Sequence, residues 1–243
     1  MDTLVGFDSA WVGNPNKPGA ICALTLYEGR PIKFLPPKLV GFDEALTFCQ
    51  EARSSSQFTL LALDQPTIVW NTTGMRPVER VAASLVSWLG GGVQPANRSR
   101  LGMFCSASPI WRFLDALGFT ENPEGSRVAT EGKYFIEVFP ALALASIAAD
   151  SYGRLKGAHY NPVRKKTFRH ADWKMVANAA ACEARSLGLG ELSRWCTGAA
   201  AITQPQKAGQ DRLDSALCVL MLLAGDFARE KSPSCSATWR AGI

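Results

Sequence analysis

Charge is scarce in this chain: Asp, Glu, Lys and Arg make up 19% of its 243 residues. So low a fraction argues against long disordered or coiled-coil segments. Histidine is scarcer still. Only His159 and His170 are present, and neither has the spacing of a metal-ligand pair. The seven cysteines (Cys22, Cys49, Cys105, Cys182, Cys196, Cys218 and Cys235) include no Cys-x-x-Cys pair, which argues against a thiolate zinc site. Their odd number and apolar neighbours suit buried free thiols in a reducing compartment. Long apolar runs are missing too. The longest near the C-terminus, residues 216–224, is far shorter than the roughly 20 residues that span a bilayer, so no membrane partner is expected. No basic segment followed by an apolar stretch opens the sequence, and a cytoplasmic protein without a signal peptide is the expectation.

The chain does have apolar residues, 47% of the total, enough for one sizeable core. A net charge of +5 permits a polyanionic partner without requiring one. Residues 4–8 read as a first strand, 20–27 as a second and 32–35 as a third. Their short Gly/Asn/Pro-rich connections make an antiparallel meander. Residues 42–53 switch to helical spacing. Residues 58–63 are continuously apolar, the mark of a strand covered on both faces. A helix is predicted over 77–89, led by Pro77, and a short one over 109–117 in an otherwise irregular 90–133. A strand over 134–139 and helices over 141–149, 171–187 and about 208–227 complete the pattern. Residues 151–169 read as a basic, solvated loop and the tail from 229 as loose. The predicted fold is α/β, a mixed sheet of three antiparallel strands followed by parallel ones, flanked by helices. One domain over 1–228 is expected, with insertions near 90–133 and 150–208, then a polar tail over 229–243.

Five acids interrupt apolar segments. Asp8 closes the first strand and Asp64 the buried strand. Glu137 sits inside the strand over 134–139. Asp211 and Asp214 open the last helix, three apart and therefore on one face. Each alone has an ordinary explanation: a turn former, a dipole partner, a surface charge. Together they suggest a site for Mg²⁺ or Mn²⁺, because hard cations take oxygen ligands and buried carboxylates need a partner.

Several motifs in this order resemble a family of predicted RNase H-like nucleases that is catalogued mainly as a domain of unknown function. They are Gly6-Phe7-Asp8-Ser9-Ala10-Trp11, Asp64-Gln65-Pro66, Gly74-Met75-Arg76-Pro77-Val78-Glu79-Arg80 and Phe135-Ile136-Glu137-Val138-Phe139-Pro140. The ending Asp211-Arg212-Leu213-Asp214-Ser215-Ala216 is also similar to the last helix of RuvC-type Holliday-junction resolvases, with Ser215 a small departure. The resemblance covers about residues 3–225. It implies an RNase H-like sheet and metal-dependent hydrolysis of phosphodiester bonds in DNA or RNA. Asp8, Asp64, Asp211 and Asp214 would then be metal ligands, with Glu137 a further catalytic candidate. Arg76 and Arg80 are candidates for phosphate contacts, and Lys156, Tyr160, Lys165 and Lys166 for contacts to a nucleic-acid backbone. A non-catalytic nucleic-acid-binding or interaction module on the same fold is the main alternative. A phosphotransferase of the sugar-kinase and actin type fits less well, because Ser9-Ala10-Trp11-Val12-Gly13 lacks the Gly-Thr pairing of that phosphate loop.

Overall fold

The computed structural model describes residues 1–88, 92–147 and 157–224, with side chains 86–88 excepted. The predicted meander forms: β1 (Asp2–Asp8), β2 (Gly19–Tyr27) and β3 (Arg30–Val40) pair antiparallel in succession. The third strand is longer than its apolar run indicated, because pairing with β2 carries it through Pro36 and Pro37 to Val40. Helix α1 (Phe42–Ala52) then returns the chain so that β4 (Phe58–Asp64) lies parallel to β1 on its other side. Beyond β4 come α2 (Pro77–Trp88), α3 (Pro109–Leu117), β5 (Thr120–Glu121), α4 (Pro123–Val128) and β6 (Gly132–Glu137). The sheet order is β3-β2-β1-β4-β6-β5, with β4, β6 and β5 parallel. Helices α5 (Pro140–Ile147), α6 (His170–Ser186), α7 (Gly190–Ala200) and α8 (Lys207–Ala224) finish the described chain. The mixed sheet flanked by helices is therefore the one the sequence pattern predicts. Among the described residues, no helix is long and apolar enough to cross a membrane.

Strand alternation divides the core in two. Leu4, Leu60, Ala62 and Ile136 face a large cluster with the inner sides of α6, α7 and α8. Val5, Phe7, Leu61, Leu63 and Phe135 face a smaller cluster with α1 and α3. Helix α8 approaches β1 very closely at Gly6. A Cβ added there would overlap the Ser215 carbonyl oxygen and lie 2.9 Å from the Val219 nitrogen. Gly19 plays a similar part on β2, where an added Cβ would meet the backbone of Asp8, Ser9 and Ala10. Gly6 thus lets α8 seat on β1, and Gly19 lets the chain leaving β1 lie against β2.

The structure revises several boundaries. The segment over 90–133 is less irregular than expected, since it contains β5 and α4. Glu137 ends its strand instead of lying inside it. Helix α7 falls in what the sequence presented as an insertion. It is held by buried Leu192, Cys196 and Ala199, and by the Ser193 hydroxyl donating to the Ala181 carbonyl at 2.8 Å. Lys156, Cys235 and the expected tail over 229–243 lie outside the described residues.

Candidate carboxylate site

Asp8 and Asp64 are direct partners in the parallel ladder between β1 and β4. Side-by-side residues of a parallel pair point to the same face, here the face that α8 covers. The first turns of α8 add Asp211 and Asp214 from above. Asp8, Asp211 and Asp214 are each 5–6% exposed, and Asp64 is partly exposed at its strand end. All lie at the carboxyl ends of parallel strands, where open α/β sheets place their ligands.

The electrostatics of this group are unfavourable to its own charge. Burial, then the nearby Asp64 and Asp214 carboxylates, hold the Asp8 carboxyl well above the usual range. Burial and Asp214 do the same to Asp64. Asp214 is pushed up to about 6 by burial, although three neighbours oppose the shift. These are the Tyr160 hydroxyl, which donates to Oδ1 at 2.8 Å, the Gln210 amide, which donates to Oδ2 at 2.8 Å, and the Lys207 ammonium. Lys207 donates to Asp211 from one turn earlier on α8. Its own ionisation is lowered by burial but raised on balance by Asp8, Asp211 and Asp214. Ser9 donates to Gln65 beside the two strand-end aspartates. The Gln65 Nε2 and Gln210 Oε1 atoms are buried without a hydrogen-bond partner.

Tyr160 departs from the sequence expectation. It is not a surface contact for a nucleic-acid backbone but a buried positioning residue for Asp214. The loop before α6 holds it there: the His159 amide donates to Asp172 at 2.7 Å, and the Arg169 amide to the His159 carbonyl at 2.8 Å. A basic composition concealed this role, because nothing local marks one tyrosine of a charged loop as turned inward. Lys165 and Lys166 of the same loop are exposed, as expected.

Glu137 stands apart from the aspartates. It pairs with Leu63, not Asp64, so alternation assigns it to the opposite face. There it accepts two hydrogen bonds from Arg76, at 2.8 and 2.5 Å. Arg76 also donates to Glu79 at 2.8 Å and to the Ile68 carbonyl at 3.2 Å. The Arg76 guanidinium is thus buried and engaged within the protein, whereas Arg80 is exposed. Between the two charged groups opens a largely apolar cavity of about 640 Å³, with Asp64, Arg76 and Glu137 among its walls.

Among the described residues, no three His, Cys, Asp or Glu side chains converge closely enough to grip an ion as they stand. Asp8, Asp64, Asp211 and Asp214 offer carboxylate oxygens, the donor type that hard cations take. No family model, curated protein or solved structure matches the chain.

Proposed function

We propose that this protein is a metal-dependent nuclease of the RNase H-like kind, hydrolysing phosphodiester bonds at the carboxylate site. The observation that carries this reading is the set of four aspartates from β1, β4 and α8, desolvated together with too little positive charge among the described residues to balance them. Buried carboxylates raised by one another in this way are characteristic of functional sites. Mg²⁺ or Mn²⁺, when bound, would supply Lewis acidity and make water a nucleophile at neutral pH. Asp8, Asp64 and Asp214 would hold it, with Asp211 alongside. Tyr160 and Gln210 fix the orientation of Asp214 by bonding one oxygen each. Exposed Lys165 and Lys166, on the loop that delivers Tyr160, suit the phosphates of a DNA or RNA strand. The free thiols of Cys22, Cys49, Cys196 and Cys218, all buried, fit a cytoplasmic setting.

A second reading rests on Lys207. Its ammonium already contacts Asp211 and offsets part of the cluster's charge, as a non-catalytic nucleic-acid-binding module would require. Calorimetric Mn²⁺ titration of wild type and an Asp8→Asn, Asp64→Asn double variant separates the two, with cleavage of labelled DNA and RNA alongside. The nuclease reading expects Mn²⁺ binding and cleavage in wild type, and the loss of both in the double variant. A folded wild type that binds no Mn²⁺ leaves the non-catalytic module in its place.

A further inference from the structure

The loop from Asp64 to Arg76 displays an indole in water. Trp70 is 86% exposed, and Ile68, two residues earlier, is 49% exposed. Between them Val69 is buried, packed with Ala96 and Phe104 in a small core of its own that Trp11, Met103 and Trp111 flank. The backbone around Trp70 is pinned on both sides. The Arg76 guanidinium donates to the Ile68 carbonyl, and Arg98 Nε to the Val69 carbonyl at 2.7 Å. The Arg98 amide donates to the Asn71 carbonyl at 3.0 Å, and the Ser99 amide to the Thr72 carbonyl at 3.1 Å. The Asn71 side-chain amide reaches the carbonyls of Thr73, Gly74 and Ala96.

A solvent-facing indole gains nothing for the fold, and a loop with this many bonds is not exposing it through disorder. The loop has already lost the conformational freedom that binding would otherwise cost. It also begins at Asp64 and ends at Arg76, the partner of Glu137, so it runs from the carboxylate site to the neighbouring ion pair. We propose that Trp70, with Ile68 beside it, is a stacking platform for an unpaired nucleobase of the substrate strand. The inference rests on the nuclease reading for its ligand and deepens it, naming single-stranded nucleic acid in preference to an intact duplex. Indole faces accept any base, because every base has a π-face, and exposed aromatics are a usual way of holding single strands.

Fluorescence anisotropy tests this on the full chain, using a labelled single strand of about a dozen nucleotides, as DNA and as RNA, and the matching duplex. Ca²⁺ replaces Mn²⁺ to prevent turnover. Trp70→Ala is expected to weaken single-strand binding by roughly tenfold or more, and Trp70→Phe by only about threefold. Mn²⁺ affinity should be untouched in both. An unchanged single-strand affinity in Trp70→Ala overturns the platform. So does an equal loss for the duplex, or a wild type that binds Mn²⁺ but no single strand. That last result would point to a protein partner for the indole. If single-strand binding depends on Trp70 while Mn²⁺ does not bind, the platform stands and the nuclease reading falls.

Discussion

Two groups of buried charge lie at the same end of the sheet, and they are built on opposite plans. Around Arg76, each charged group has a direct partner, with one guanidinium serving two carboxylates. The guanidinium meets Glu137 through two nitrogens and Glu79 through a third, and Glu79 also accepts from the Ala96 amide at 3.0 Å. Around Asp8, four carboxylates share one ammonium among the described residues, that of a lysine whose side chain is half exposed. The first arrangement joins α2 to β6 and to the loop over 65–76, so it serves the fold. The second opposes folding, a cost that a bound cation would relieve under the proposed nuclease reading. Two carboxylate groups that look equivalent along the chain thus differ in pairing, one engaged by a guanidinium and the other left largely to repel itself.

The largest effect expected from this contrast is on stability. Arg76→Ala would leave Glu79 and Glu137 without their cation, and breaking a buried pair costs about 3–5 kcal/mol. Asp8→Asn removes a repelling charge and should leave stability equal or higher. Denaturant unfolding of both variants checks this, and an Arg76→Ala protein as stable as wild type would erase the distinction. The pH dependence comes next. Folded Asp8, Asp64 and Asp214 retain protons that the unfolded chain releases above the ordinary aspartate value of 3.8, and for Asp214 the retention extends to about 6. The folded state therefore holds more protons in that window, and stability must fall as pH rises through it. This is the reverse of a salt-bridged aspartate. Thermal melts between about pH 5 and 7 without added metal should show the decline, and added Mn²⁺ or the Asp8→Asn, Asp64→Asn pair should flatten it. A melting temperature that rises across this range would refute the cluster's electrostatics. The smallest effect belongs to Lys207→Met. Loss of a competing, partly screened charge should tighten Mn²⁺ binding by only a few-fold, measured by the same calorimetry. Weaker binding would instead make Lys207 part of the metal site's support.

Much of the fold was legible because its signals are local. The acid-terminated apolar runs at Asp8 and Asp64, and the switch to helical spacing after Val40, are properties of short windows. The union of Asp8 with Asp64 was legible only as a possibility, since it depends on which strands become neighbours. Two features were hidden for different reasons. Tyr160 lies in a loop whose charges suggest solvent, and only its contact with Asp214, 54 residues away, reveals its position. Helix α7 carries a readable stripe at 192, 196 and 199, but Gly190 and Gly198 weaken its helical pattern. Glu137 shows the limit of motif reasoning most sharply. Its sequence context matches that of a site residue, and a single step of strand parity moves it to Arg76.

The ladder between β1 and β4 has a consequence for how the chain assembles. A slip of one residue would set Asp8 beside Leu63 or Gln65 and invert the inner and outer faces of one strand. When β1 is the strand that slips, Gly6 moves out from under Ser215 and a side chain at position 5 or 7 collides with α8. The tight seat of the helix therefore acts as a gauge on β1, admitting only the face that carries Gly6 and Asp8 toward α8. Chains that pass it present Asp8 to the same side as Asp211 and Asp214, so the seat of the helix and the gathering of these carboxylates depend on the same missing side chain.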